Sequence, residues 1–206
     1  MTTTLHFRNT LTNGITGTDK YFDLITTAGA SIDVFETDTV ASGTEIQLTE
    51  DVAGDAPVVW ITGRVPAGGF TLTTGDFSVG ARETDMAANV GFRARLFKRS
   101  LLGIETELLG GPFDDGVEWT TSTALKDWTA NPTDTAFVED DRLIVKLYLT
   151  NIGTMGGGHQ GQVSFNAASG AGLSTFIIAE TVAFKAEDVT GMGALLSDAR
   201  NRLVAA

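Results

Sequence analysis

Arg142-Leu143-Ile144-Val145-Lys146-Leu147-Tyr148-Leu149-Thr150 alternates without a break. Leu143, Val145, Leu147 and Leu149 fall on one face, and Arg142, Ile144, Lys146, Tyr148 and Thr150 on the other. Successive strand side chains point to opposite faces, so a period of two predicts a β-strand with one face in a core. Asn89-Val90-Gly91-Phe92-Arg93-Ala94-Arg95-Leu96-Phe97-Lys98 repeats the design, with Val90, Phe92, Ala94 and Leu96 inward and Arg93 and Arg95 outward. Two long strands of this kind predict the middle of an antiparallel β-sandwich.

Other segments extend the pattern. Glu45–Thr49 alternates, and Phe77, Val79 and Ala81 share a face. Leu101–Leu109 reads as the hairpin partner of the second strand, with Ile104, Thr106 and Leu108 set against Glu105, Glu107 and Leu109. Val117–Ser122 and Thr135–Val138 are read as strands, with Leu125–Trp128 between them. Pro57–Thr62 is apolar on both faces, which predicts a strand covered on both sides by a loop or a neighbouring subunit. The closing strand is expected over Ser174–Phe184.

The one helix the sequence announces is at the end. Met192, Leu195, Leu196, Ala199 and Leu203 recur at helical spacing. Asp188 or Thr190 can cap its start, and Arg200 and Arg202 complement the dipole at its end. The expected organisation is a β-sandwich over residues 1–189 and an amphipathic helix over 190–206.

Composition narrows the function. The 206 residues suit one β domain. With no cysteine, disulfides and thiolate metal sites are excluded. A formal charge of −12 repels phosphate backbones and anionic lipid, so neither nucleic acid nor membrane is an expected partner. No apolar run is long enough to span a bilayer as a helix, and no signal peptide is read at the N-terminus.

No catalytic constellation emerges, so the chain is not read as an enzyme, and no cofactor is expected. His6 and His159 are the only histidines, and no Gly-x-Ser-x-Gly elbow is present. Gly153 and Gly156–Gly158 are followed by His159 and Gln160, where a phosphate loop needs Lys and Ser or Thr. Asp114-Asp115 and Glu139-Asp140-Asp141 offer oxygen ligands without a calcium-loop spacing, and are read as solvated turns. Trp60 belongs in the core by its apolar neighbours. Trp119 and Trp128, among polar residues, are expected at a surface, where they would suit a sugar-stacking platform or an interface. Arg93 and Arg95 are expected to pair across strands with Glu105 and Glu107.

A resemblance rests on Val59-Trp60-Ile61, Arg82-Glu83, Ala88–Lys98, Asp141–Tyr148 and Glu180-Thr181-Val182-Ala183-Phe184, across residues 57–184. In these strand ends and turns the chain resembles tailed-bacteriophage virion proteins of the jelly-roll β-sandwich type. The resemblance implies a structural protein that decorates or cements the capsid. Its partners would be further copies of itself, with a trimer the expected state, and other virion proteins such as the major capsid protein. It would be found in the virion, after assembly in the bacterial cytoplasm. It assigns no catalytic residue. A receptor- or glycan-binding module of a tail fibre or spike is the second reading, and a polysaccharide-acting enzyme the third. The contact residues expected are Met192, Leu195, Leu196 and Leu203 on the helix, with Trp119, Trp128, Arg93 and Tyr148 on the sandwich.

Deleting residues 190–206 is therefore expected to leave the β-sandwich folded while weakening oligomerisation or particle attachment. Circular dichroism and sedimentation read the two effects. Loss of β structure would make the segment a lid on its own core.

Overall fold

The computed structural model describes residues 1–12, 15, 19–30, 33–36, 45–49, 56–84, 86–152, 160–167 and 169–185. The expected terminal helix lies outside them. Among the described residues the chain is all β, apart from one 3-10 turn at Gly170–Gly172. The strands are β1 (Thr3–Leu11), β2 (Lys20–Ile25), β3 (Asp33–Glu36), β4 (Glu45–Gln47), β5 (Val58–Thr62), β6 (Phe70–Leu72), β7 (Gly75–Glu83) and β8 (Val90–Arg99). There follow β9 (Glu105–Glu107), β10 (Phe113–Asp114), β11 (Ala124–Ala130), β12 (Thr135–Phe137), β13 (Arg142–Asn151), β14 (Gly161–Phe165) and β15 (Thr175–Ile178).

Thirteen strands share one curled sheet, in the order β10-β8-β13-β5-β2-β1-β15-β7-β14-β3. β11 is added to β7, β4 to β13 and β9 to β8, while β6 and β12 pair apart. Short strands share the edges of long ones. β5 takes Ile144 and Val145 of β13, and β4 takes Tyr148–Thr150. β15 and β14 divide one edge of β7 in the same way. One pairing departs from the antiparallel expectation: β2 runs parallel to β5. Parallel neighbours need a long crossover, which residues 26–57 supply.

The sheet curls until its two halves face each other, as in a sandwich. Phe92 of β8 meets Trp128 of β11 at 4.8 Å between ring centroids. Trp60 of β5 meets Phe165 of β14 at 5.5 Å and Phe7 of β1 at 5.0 Å, both edge-on. Leu143, Val145, Leu147 and Leu149 lie in this core with Val90, Phe92, Ala94 and Leu96, as the alternation requires. β5 is buried on both faces. Val58 and Trp60 enter the main core, while Val59 and Ile61 join Tyr21 and Ile144 in a second cluster. Ile15 and Phe97 pack over that cluster, so the chain itself supplies the second cover.

Two strand expectations differ from the structure. Val117–Ser122 is not a strand: the Asp115 carboxylate accepts the backbone N–H groups of Phe92 and Val117 and holds the chain in an irregular path. Leu125–Trp128, to which the sequence assigns no element, belongs to β11, paired with β7 over seven residues. Its half-buried and exposed positions alternate, as on an outer strand with one wet face. The closing strand ends at Ile178, and Lys185 bridges back to Arg64.

Leu147→Asp tests the core assignment. A charge placed at this fully buried position is expected to cost at least ~3 kcal/mol. Thermal unfolding then drops by several degrees or folding fails. An unchanged melting temperature would contradict the facing of β13.

Candidate functional site

The outer face of β8 and β13 gathers Arg93, Arg95, Arg99, Arg142 and Lys146, five of the chain's 14 lysines and arginines. The register sets Arg93 opposite Tyr148, Arg95 opposite Lys146, Phe97 opposite Ile144 and Arg99 opposite Arg142. Like charges directly opposed on one face repel. The flanking short strands bring the acids that cancel this. Glu45 of β4 reaches Arg93 with one oxygen and Arg95 with the other, each at 2.7 Å. Arg93 also grips Asp114 of β10 at 2.8 Å, and Arg95 grips Glu107 of β9 at 2.8 Å. Glu105 of β9 lies 2.8 Å from Arg99 and 3.2 Å from Lys146, which also meets Asp19 at 3.2 Å.

Aromatic rings floor this lattice. Arg95 stands over Tyr148 at 5.6 Å, Arg99 over Tyr21 at 5.5 Å and Lys146 over Phe97 at 4.8 Å. Each cation over a ring adds roughly 0.5–1 kcal/mol at a partly wet site. Tyr21 donates its hydroxyl to Glu105 at 2.7 Å. Burial pushes the Tyr148 hydroxyl up to about 12, with Arg95 pulling against it. Burial also raises the Tyr21 hydroxyl, and the bond to Glu105 adds to the effect. For Glu105 burial works upward, but the Tyr21 hydrogen bond and the Lys146 charge outweigh it and leave the carboxyl below its ordinary value. Both phenols stay neutral at physiological pH. What this arrangement does chemically is lock six strands together, with charge neutralised pair by pair.

Among the expected contact residues, Arg93 and Tyr148 are neighbours on this face, both half-buried. Trp119 is not at a surface: it is 2% exposed, its ring 5.4 Å from Phe92 and its Nε1 donating to Asp115 at 3.1 Å. Trp128 stacks on Phe77 at 4.5 Å with its Nε1 buried. The alternation of β11 turns Trp128 inward and Leu125 outward, so the two tryptophans form no sugar-stacking platform. Met192, Leu195, Leu196 and Leu203 lie outside the described residues, as do His159 and the glycines before it.

The pairing of Arg95 with Glu107 is as expected. Arg93 instead takes Asp114 and Glu45, and Glu105 turns to Arg99 and Lys146. Lys185 neutralises Glu139 at 2.7 Å and Asp140 at 2.9 Å, and Asp141 accepts the Val138 N–H. Burial raises the Asp115 carboxyl above its ordinary value, against the hydrogen bonds it accepts from Phe92, Trp119 and Val117. Burial, and then the charge of Arg8, lower the pKa of His6 in β1. No group of three or more histidine, aspartate or glutamate side chains is arranged for a metal ion among the described residues. Glu45 carries no mark of a site residue in the sequence beyond the clean alternation of Glu45–Thr49.

In sequence, no family model and no curated protein matches the chain. In structure it is similar to a CocE/NonD family hydrolase from Staphylococcus aureus, with a TM-score of 0.56 and 11% identity over 86% of this chain and 36% of that one. An aminopeptidase from a marine sediment Thaumarchaeota archaeon gives 0.55 and 9% identity, over 89% of this chain and 37% of that one. The VP2 subviral particle of infectious bursal disease virus gives 0.37 and 12% identity over 86% of this chain and 48% of that one. The chain thus spans little more than a third of the hydrolases it matches, and what it shares with them is the fold of that part.

The lattice gives stability a pH dependence. Because the Glu105 pKa is lowered by folding, its contribution is complete above the unfolded value of about 4.3 and is lost as pH falls through the folded value. Glu105→Gln is expected to destabilise by about 1–3 kcal/mol at pH 7 and to flatten the acid limb. Equal destabilisation at pH 7 and at pH 3 would contradict this.

Proposed function

We propose that the chain is a structural protein of a tailed-bacteriophage virion, a capsid decoration or cement protein that binds the assembled particle as a homo-oligomer and works without catalysis. The observation that supports the reading is where the resembling segments lie. β5, β13 and β8 are consecutive in the sheet, and the ion-pair lattice ties the outer face of β13 and β8 to β4, β9 and β10, with Tyr21 of β2 hydrogen-bonded into it. A decoration protein acts by adhesion. It must hold its shape while each copy makes a modest contact, because many linked contacts multiply in avidity. Double burial of β5 and charge pairing across five strands suit that demand. Of the two alternatives, the glycan-binding module has lost its tryptophan platform to the core.

The test is location and load. Particles of the phage encoding the chain are labelled with an antibody against it and imaged. Label over the capsid lattice in many copies, with DNA released at a lower temperature when the chain is missing, is the expected result. Label confined to the tail tip would point to receptor binding, and absence from purified particles would overturn the virion assignment.

A further inference from the structure

Lys146 of β13 meets two carboxylates at once. Its Nζ lies 3.2 Å from Asp19 Oδ2 and 3.2 Å from Glu105 Oε2. The three residues come from separate parts of the chain: Asp19 stands just before β2, and Glu105 opens β9. All three are largely out of water, the lysine side chain 12% exposed and each acid 19%. The lysine nitrogen sits 4.8 Å from the centre of the Phe97 ring. Phe97 in turn packs on the apolar cluster of Tyr21, Val59, Ile61 and Ile144.

Charges drawn out of water are only partly repaid by their mutual attraction. An amine and a carboxyl group held in contact in such a place can remove both charges by forming an amide. Lysine amines in apolar settings are established nucleophiles. The reaction needs a third group within hydrogen-bond reach to move protons. Glu105 is placed for this. Its Oε1 is held by the Tyr21 hydroxyl at 2.7 Å and by Arg99 at 2.8 Å, which keeps Oε2 on the amine. Those two bonds also fix Glu105 as a charged group, a poor target for attack, and leave Asp19 as the acceptor.

We propose that Lys146 and Asp19 condense into an isopeptide bond inside the folded chain, with Glu105 carrying the protons. The ammonium first gives one proton to the Asp19 carboxylate, so that amine and acid are both neutral. Nζ attacks Cγ of Asp19 and the N–C bond forms. Glu105 takes a proton from that nitrogen and hands it to the departing hydroxyl of Asp19. The C–O bond breaks, the carbonyl reforms and one water leaves. Nothing is oxidised or reduced. The bond joins positions 127 apart in the chain. β5 lies between β2 and β13 in the sheet, so the staple spans the parallel β2–β5 pair and ties it to the central ladder. A cross-link closing so long a loop restricts the unfolded chain strongly.

The experiment is mass spectrometry of the full 206-residue chain, purified folded and then denatured. The parent is expected to be one water lighter than its sequence requires. Trypsin should release residues 9–20 joined to residues 143–185, uncut at Lys146, with the link between Asp19 and Lys146. Lys146→Arg keeps the charge without the amine, and Asp19→Ala removes the acceptor. Both should show the full mass and a lowered melting temperature. Glu105→Gln, checked for β structure by circular dichroism, should fold and stay unlinked. Full mass in the folded parent, a link to Glu105 in place of Asp19, or the same water loss in Lys146→Arg would overturn the bond. Linking in Glu105→Gln as complete as in the parent would overturn the role of Glu105. All of this is read on the isolated chain, apart from any particle.

Discussion

Arg142–Asn151 and Val90–Arg99 are joined over ten residue pairs, and both sides of the molecule hang from that ladder. On its inner side, Leu143, Val145, Leu147 and Leu149 face Lys98, Leu96, Ala94 and Phe92 in register. Every apolar side chain among them is in the main core. Each fully buried leucine or valine contributes roughly 1.5–3 kcal/mol, so this ladder supplies a large part of the burial that offsets chain entropy. Four further strands attach to its edges: β4 and β5 to β13, β9 and β10 to β8. A one-residue slip would turn the core face outward and would also part every basic residue from its acid.

That coupling explains the charge pattern. A chain of net charge −12 concentrates Arg93, Arg95, Arg99 and Lys146 on one sheet face, where like charges would repel. Glu45, Glu105, Glu107 and Asp114 arrive on short strands whose own apolar content is small. These strands gain their place largely through the pairs they make. Isolated surface pairs contribute little, but half-buried ones shared between several partners and set over aromatic rings hold their geometry better. The result is a face that is rigid and nearly neutral.

The sandwich was legible because β8 and β13 show their period within their own residues. β5 was legible as doubly buried because both parities are apolar, though nothing in it tells that Ile15 and Phe97 supply the cover. The Arg95–Glu107 pair follows from a hairpin across a short turn. Glu45 reaches Arg93 from 48 positions away, and no local pattern carries such a distance. Trp119 was misplaced because its sequence neighbours are polar. Its burial depends on the Asp115 carboxylate folding the chain back over Phe92. Leu101 and Leu102 read as the start of a strand and are instead its turn, since Gly103 bends the chain just after them.

β8 and β13 are expected to be the most persistent part of the molecule. Native-state hydrogen exchange measures this directly. The amides of residues 143–149 and their partners in 92–98 are expected to exchange only with global unfolding, while β12 and the β11 edge open sooner. Exchange in β13 as fast as in β12 would contradict the account.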